Sequence, residues 1–218
     1  MDKNFSIILL GPQGSGKGTQ AEFLTHNFNF GYIAGGDISR KLATRKDELG
    51  RKVKTYVDSG DLIPDEIMME GLKSELETYR GKWVIIDAVP RNRKQLIAMI
   101  PLLLAFKRRP VVIILKLPRK QAIERLVNRK ICESCNFMPP YPEVKEMKDC
   151  PKCGGILQVR ADDALDAIDE RLNTYERETI PMIREMKAKG FTVIEVDGRV
   201  KPLAVYKDIK TKLKNHLL

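Results

Sequence analysis

The sequence predicts an α/β fold with a five-stranded parallel sheet and helices on both faces. Short apolar segments rich in β-branched residues alternate with helical segments along the 218 residues. Such alternation is typical of parallel sheets in which the crossovers are helices. Residues 111–115 are all Val, Ile or Leu, which is typical of a strand buried on both faces. A glycine-rich loop directly after the first apolar segment is the third observation.

The five predicted strands are residues 5–10, 31–33, 83–87, 111–117 and 192–196. The last long helix is predicted from large side chains that recur at helical spacing: Leu165, Ile168, Leu172, Tyr175, Met182, Ile183 and Met186. Pro181 is expected to kink or break this helix, because proline lacks the backbone N–H that a helix interior requires.

Two segments interrupt the alternation and are interpreted as inserts. Residues 34–63 look helical and carry no good strand, and residues 128–161 contain all four cysteines. The core domain then comprises residues 1–33, 64–127 and 162–218.

Composition excludes some classes of protein. The chain is 43% hydrophobic and 31% charged, as in ordinary globular proteins. No apolar segment approaches the roughly 20 residues that cross a bilayer. The N-terminal apolar run is too short for a signal peptide, so a cytoplasmic location is expected. The net charge of +10 comes mostly from scattered lysines, which favours a solvated basic surface over a nucleic-acid site.

Residues 11–19 have the sequence GPQGSGKGT, which fits the spacing of a phosphate-binding loop. Gly18 stands where Ser or Thr is usual, and Thr19 follows one position later. Backbone N–H groups of such a loop and of the following helix point at phosphate oxygens, and Lys17 adds a mobile positive charge. A hydroxyl group of Ser15 or Thr19 could contact Mg²⁺.

Two Cys-x-x-Cys pairs, Cys132 with Cys135 and Cys150 with Cys153, are separated by fourteen residues. This spacing predicts a structural site with four thiolate ligands, and zinc suits it best. Disulfides and iron are the alternatives. Four thiolates leave no open coordination position, so a catalytic metal is not expected here.

Arginines supply the cations that a second phosphate group needs, since their guanidinium groups stay charged and bind anions in a planar fork. The candidates are Arg40, Arg91, Arg125, Arg129, Arg160 and Arg171. Arg91 follows the strand that ends in Asp87, at the sheet edge where open α/β folds bind ligands. Asp87 is a candidate for binding Mg²⁺ through water.

These motifs together resemble the adenylate kinase family over almost the whole chain. The resemblance rests on GSGKGTQ at 14–20, GDISR at 36–40, DAVPR at 87–91 with Gln95, RADD at 160–163, RL at 171–172 and the segment 175–183. It implies phosphoryl transfer between ATP and AMP, with residues 34–63 as the monophosphate-binding insert and residues 128–161 as a zinc-ribbon-like lid. A monomer is expected.

The resemblance also implies roles for individual residues. The ATP site would comprise Gly14, Ser15, Gly16, Lys17, Gly18, Thr19, Arg125 and Arg129. The AMP site would comprise Gly35, Arg40, Ile63, Ala88, Arg91, Gln95, Arg160 and Arg171. The catalytic cations would be Lys17, Arg91, Arg129, Arg160 and Arg171, with Thr19 and Asp87 holding Mg²⁺ through water. Asp162 and Asp163 would fasten the closed lid, and Cys132, Cys135, Cys150 and Cys153 would hold zinc.

The chain departs from the family pattern at the acceptor base. Gly35 replaces a usual threonine, and Ala88-Val89 replaces Gly-Phe. The cysteine pairs are also closer together than is typical. A kinase for UMP or CMP is therefore one alternative. The other is an ATP-dependent protein that associates with nucleic acid and reuses the fold.

Overall fold

The computed structural model describes residues 4–59, 61–159 and 163–217. The strands are β1 Phe5–Leu10, β2 Gly31–Ala34, β3 Val84–Asp87, β4 Arg109–Lys116, β5 Lys130–Cys132, β6 Leu157–Val159 and β7 Thr192–Asp197. The helices are α1 Lys17–Phe28, α2 Gly35–Ala43, α3 Glu48–Ser59, α4 Asp65–Thr78, α5 Arg93–Ala105, α6 Arg119–Val127, α7 Leu165–Thr174, α8 Ile180–Ala188 and α9 Pro202–Leu217. A 3₁₀ turn spans Glu143–Lys145 and a π-helical turn spans Tyr175–Thr179.

The predicted five-stranded parallel sheet is confirmed, with strand order β2-β3-β1-β4-β7. In the central register, Ile7 lies between Ile85 and Val111. Strand β4 begins at Arg109, two residues before the predicted start, because Phe5 and Ser6 pair with Arg109 and Pro110. The carboxyl ends of β1, β3 and β4 therefore meet at one edge of the sheet.

Helices cover both faces of the sheet. On one face, Ile7 and Leu9 belong to a buried cluster with side chains of α1 and α9. On the other face, Ile8 and Leu10 belong to a cluster with side chains of α4, α5 and α8. The central strands β1, β3 and β4 are largely apolar because both of their faces are buried, as the sequence predicts, whereas the edge strand β7 also carries Thr192, Glu195 and Asp197.

The helical path does not break at Pro181. Helix α7, the π-helical turn and α8 follow one another without a gap, and Pro181 stands in the first turn of α8. The π-helical turn takes up the irregularity that a proline imposes on the preceding carbonyl groups. Helix α9 was not predicted, although Val205, Ile209 and Leu213 recur at helical spacing and are buried. Within the described residues, no helix is long and apolar enough to span a membrane.

Candidate active site

The glycine-rich loop joins β1 to α1 at the edge where the strands end. Gly11, Gly14 and Gly16 all have positive φ, at 147°, 80° and 91°. A Cβ atom on Gly11 would lie 2.5 Å from the carbonyl oxygen of Leu115, so only glycine fits there. Gly16 is the residue before α1 and makes no side-chain cap, which leaves the first N–H groups of the helix open to an anion.

Lys17 is the first residue of α1 and folds back over the loop. Its Nζ donates hydrogen bonds to the carbonyl oxygens of Gly11 at 2.8 Å and Pro12 at 2.9 Å. Burial lowers the pKa of Lys17 to about 8, Asp87 opposes this shift, and the charges of Arg91 and Arg129 add to it. One carboxylate and two arginines thus act electrostatically on this lysine, and a phosphate group would relieve the repulsion among the cations.

Asp87 ends strand β3 and is 9% exposed. Its Oδ2 accepts a hydrogen bond of 2.9 Å from the hydroxyl of Tyr32. Its Oδ1 is buried and has no hydrogen-bond partner among the described residues, as is also true of the Ser15 hydroxyl. Burial raises the pKa of Asp87, while Lys17 opposes this shift. A buried carboxylate oxygen without a partner, close to a phosphate-binding loop, fits a site for hydrated Mg²⁺.

Arg91 is held by a rigid turn after β3. Its backbone N–H donates to Gln95 Oε1 at 2.8 Å, and its Nε donates to the carbonyl oxygen of Ala88 at 2.9 Å. Its own carbonyl oxygen accepts a hydrogen bond of 2.7 Å from the Thr179 hydroxyl. Burial lowers the pKa of Arg91, so the guanidinium group lies where an anionic partner would be bound strongly.

Asp163 brings two of the predicted arginines together. Its carboxylate accepts hydrogen bonds of 2.6 Å from Nε and Nη2 of Arg129, and Arg171 Nη1 lies 3.4 Å from Oδ1. The Asp163 side chain is fully buried, while Arg129 and Arg171 are 23% and 20% exposed. The other two residues predicted in this segment, Arg160 and Asp162, lie outside the described residues.

Arg40 and Arg125 lie on α2 and α6. Arg40 is exposed on α2 and forms an ion pair with Asp37. Arg125 Nη1 donates to the carbonyl oxygen of Gly14 at 3.4 Å, and its guanidinium carbon lies 5.5 Å from the ring centroid of Tyr141. Arg125 and Tyr141 line a small cavity of about 150 Å³ together with Gln121, Glu124 and Arg199. Tyr141 was not predicted as a site residue, although an aromatic residue inside a proline cluster is a usable signal.

The residues predicted at the acceptor base surround the start of α2 and the turn after β3. Gln95 is only 2% exposed, and its Nε2 donates to Asp65 Oδ1 at 2.8 Å. Asn92 caps α5 by accepting a hydrogen bond from the Gln95 N–H, and it also donates to Asp65. Asp65 and Asn92, which hold Gln95 in place, were not predicted from the sequence.

Gly35 and Val89 are packed too closely for a side chain at position 35. A Cβ atom on Gly35 would lie 2.7 Å from Val89 Cγ2. Ala88, which precedes Val89, has φ of 58°, a region that favours glycine. Ile63, the remaining predicted residue here, is buried in the same cluster as Val89.

The four cysteines converge at one end of the two-stranded ribbon formed by β5 and β6. Their Sγ atoms all lie within 4.8 Å of one another. The Sγ–Sγ distances are 3.5 Å for Cys132 with Cys153 and 3.6 Å for Cys135 with Cys150. Four sulfurs around one zinc ion at about 2.3 Å would lie about 3.8 Å apart, so this cluster fits tetrahedral zinc.

The local backbone supports thiolate ligands. Backbone N–H groups of Cys135 and Ser134 lower the pKa of the Cys132 thiol, whereas hydrogen bonds with the other cysteines raise the pKa of Cys135. Gly154 has φ of 74°, and a Cβ on Gly155 would lie 3.0 Å from Cys132 Sγ, so the turn needs both glycines. Asn136 takes the corresponding left-handed conformation, with φ of 56°, after the first pair of cysteines. All four cysteines are free rather than disulfide-bonded.

Comparisons with known proteins agree with this geometry. The family model described as adenylate kinase matches residues 9–191. The chain is similar to a protein named adenylate kinase from Caldicellulosiruptor bescii, with 37% identity over 86% of this chain and 89% of that protein. It is also similar to the adenylate kinases of Archaeoglobus fulgidus, 34% identical over 95% and 97% of the two chains, and Clostridium beijerinckii, 34% identical over 96% and 99%.

The match includes the glycine-rich loop, the turn after β3, the cysteine ribbon and α8. It ends just before β7. On this evidence the chain belongs to the adenylate kinase family.

Proposed function

We propose that this protein catalyses the reversible transfer of a phosphoryl group from ATP to AMP, giving two molecules of ADP. The observation that carries the proposal is Lys17, folded over the glycine-rich loop after β1, where the charges of Asp87 and Arg91 at the end of β3 and of Arg129 after α6 act on it. Membership of the adenylate kinase family supports it. Several cations from different elements suit a reaction in which charge develops on a phosphoryl group held between two nucleotides.

On the donor side, the loop from Gly14 to Thr19 binds the phosphates of ATP, and Lys17 leaves the carbonyl groups of its own loop to contact them. Arg125 and Arg129 cover the donor. The ring of Tyr141 beside Arg125 supports a stacking site for the donor base there. Bound Mg²⁺ would neutralise phosphate charge, and the Asp87 carboxylate and the Thr19 hydroxyl would hold its water ligands.

On the acceptor side, Arg91 and Arg40 bind the phosphate of AMP. An oxygen of that phosphate attacks the terminal phosphorus of ATP, the bond to the bridging oxygen breaks, and ADP leaves from each site. Because the nucleophile is already anionic, no protein base is needed. Arg160 and Arg171 contact the transferring group. Gly35, Ile63, Ala88 and Gln95 surround the acceptor base.

The two inserts close over the substrates. We assign residues 34–63 to acceptor binding and residues 128–161 to a lid that excludes water from the phosphoryl group. The bidentate contact of Asp163 with Arg129 supports a role for Asp163, beside Asp162, in fastening the lid. Zinc on the four cysteines would hold the ribbon in shape, because so small a segment has little core of its own.

A kinase for UMP or CMP is the second candidate. The packing of Val89 against Gly35 favours it, because position 35 offers no side-chain hydroxyl to the acceptor base. The identity of the metal as zinc rather than iron, the cytoplasmic location and the monomeric state stay predictions.

The test is an assay of ADP formation from ATP with AMP, UMP, CMP, GMP and dTMP in turn, using the wild-type protein and Lys17→Met. We expect AMP to give the highest kcat/KM and Lys17→Met to give none. A wild-type protein that uses UMP or CMP as well as AMP would refute the adenine assignment. An active Lys17→Met variant would remove the loop from the chemistry.

A further inference from the structure

The hydrogen bond between Tyr32 and Asp87 joins two neighbouring strands at the active edge of the sheet. Strand β2 pairs with β3 so that Tyr32 lies opposite Ile85 and Ala34 lies opposite Asp87. The Tyr32 side chain therefore reaches along the sheet towards the end of β3, and its hydroxyl donates to Asp87 Oδ2 at 2.9 Å.

The two oxygens of the Asp87 carboxylate have different partners. Oδ2 is held by Tyr32, whereas Oδ1 is buried without a hydrogen-bond partner among the described residues. A buried polar atom of this kind needs a partner that the protein itself does not supply. One oxygen is thus fixed by the protein, and the other is left for a ligand.

The donor is a neutral hydroxyl group, although cations are close. The charges of Lys17 and Arg91 both act on Asp87. If either cation paired directly with the carboxylate, it would neutralise the charge that attracts a metal ion and would itself be lost to the phosphates. A tyrosine hydroxyl orients the carboxylate and leaves its charge intact.

Tyr32 remains a donor under all working conditions. Burial, followed by the charge of Asp87, raises the pKa of the Tyr32 hydroxyl far above neutrality. The charges of Asp37 and Arg40 on α2 act on this hydroxyl in opposite directions.

We propose that Tyr32 is a positioning residue that fixes the Asp87 carboxylate so that Oδ1 faces the water ligands of the nucleotide-bound Mg²⁺. The proposal rests on the proposed function, because it takes ATP·Mg²⁺ as the donor. The alternative is that Tyr32 only fills space on its face of the sheet, where it packs against the buried cluster, as do Phe23, Phe30 and Trp83. Phenylalanine would fill the same space without the hydrogen bond.

The test uses Tyr32→Phe and Asp87→Asn, with Tyr206→Phe as a control. Tyr206 is a mostly buried tyrosine on α9, whose ring packs on Phe23. The probe is Mn²⁺, whose affinity for the complex of protein and ATP is measured by electron paramagnetic resonance. ATP affinity in excess chelator and the melting temperature of the nucleotide-free protein are measured in parallel.

We expect Tyr32→Phe to weaken Mn²⁺ binding about tenfold, the size expected for one hydrogen bond to a charged group. ATP affinity without metal and the melting temperature should stay close to those of Tyr206→Phe. In the Asp87→Asn background, Tyr32→Phe should add no further loss. The Mg²⁺ concentration for half-maximal rate should rise in Tyr32→Phe, and saturating Mg²⁺ should restore most of kcat.

Three outcomes would overturn the proposal. If Mn²⁺ affinity falls in Asp87→Asn and not in Tyr32→Phe, Tyr32 does not position the metal site, and the proposed function stays intact. If Tyr32→Phe weakens metal-free ATP binding as much as it weakens Mn²⁺ binding, Tyr32 has a structural role only. The same conclusion follows if its melting temperature falls well below that of Tyr206→Phe. Mn²⁺ affinity that is unchanged in both variants removes Asp87 from the metal site, which is a failure of the proposed function itself.

Discussion

The contact between Gly35 and Val89 predicts that a single methyl group at position 35 damages the acceptor side of the site. In Gly35→Ala the new Cβ would lie 2.7 Å from Val89 Cγ2, well inside the roughly 3.5–4.0 Å at which carbon atoms attract. Val89 is 1% exposed and has little room to move. The neighbouring Ala88 is tied by hydrogen bonds of its N–H to Leu9 and of its carbonyl oxygen to Arg91 Nε.

Overpacking of this kind costs about 1–3 kcal/mol. Because Gly35 is the first residue of α2, the better helix propensity of alanine offsets up to about 1 kcal/mol of this cost. We therefore expect Gly35→Ala to lower the free energy of unfolding by up to about 2 kcal/mol, the cost of overpacking less the gain in helix propensity. KM for the acceptor should rise, and KM for ATP should change little.

The assay is a double-mutant cycle by urea unfolding and steady-state kinetics. Val89→Ala removes Cγ2. In the Val89→Ala background, Gly35→Ala should therefore lower the free energy of unfolding by about 1–2 kcal/mol less than it does in the wild-type protein. For the unfolding measurements, Gly18→Ala is the matched control, since Gly18 also lies in the first turn of a helix and its Cβ would meet no atom within 4 Å. Effects of the two substitutions that add to within about 0.5 kcal/mol would refute the argument that these residues compete for one volume.

Four further predictions concern other parts of the site. Burial lowers the pKa of Lys17 from 10.5 to about 8, so the unfolded chain binds more protons between these pH values and the stability of the nucleotide-free protein rises with pH there. The rise should be smaller in Lys17→Met by urea unfolding, and an equal rise in both proteins contradicts the assignment. Ala88→Gly should stabilise the protein by about 1 kcal/mol, because φ of 58° strains alanine, and a loss of stability would count against that strain. Asp163→Ala should lower the free energy of unfolding by about 2–3 kcal/mol, because two charge-assisted hydrogen bonds are lost. The control is Asp169→Ala, which removes an exposed ion pair with Arg119. Equal losses in the two variants would show that Asp163 has no special role. Chelation should remove zinc and lower the melting temperature, whereas protein purified without chelator that contains no zinc by metal analysis would refute the four-thiolate site.

Features that depend on nearby residues could be predicted from the sequence. The loop of residues 11–19 and the two cysteine pairs are local patterns, and the structure brings each of them into the expected arrangement. The parallel sheet was equally accessible, because its central strands are buried on both faces and are largely apolar. Helix α9 could have been predicted as well, since the spacing of Val205, Ile209 and Leu213 was available in the sequence.

The remaining contacts could not be predicted, because they join residues that are far apart in the chain. Tyr32 and Asp87 are 55 positions apart and meet only through the register of β2 on β3. Thr179 and Arg91 are 88 positions apart, and Asp65 and Gln95 are 30 apart. The residues that we propose to face the substrates could therefore be predicted more readily than those that hold them in place.

The central claim is that two adenine nucleotides bind at facing sites and exchange a phosphoryl group. Incubation of the purified protein with ADP and Mg²⁺ alone, followed by chromatography of the nucleotides, tests it most directly. The account predicts that ATP and AMP appear in equal amounts until equilibrium is reached, and that Lys17→Met produces neither. Release of inorganic phosphate without ATP, or ADP that remains unchanged, would contradict it.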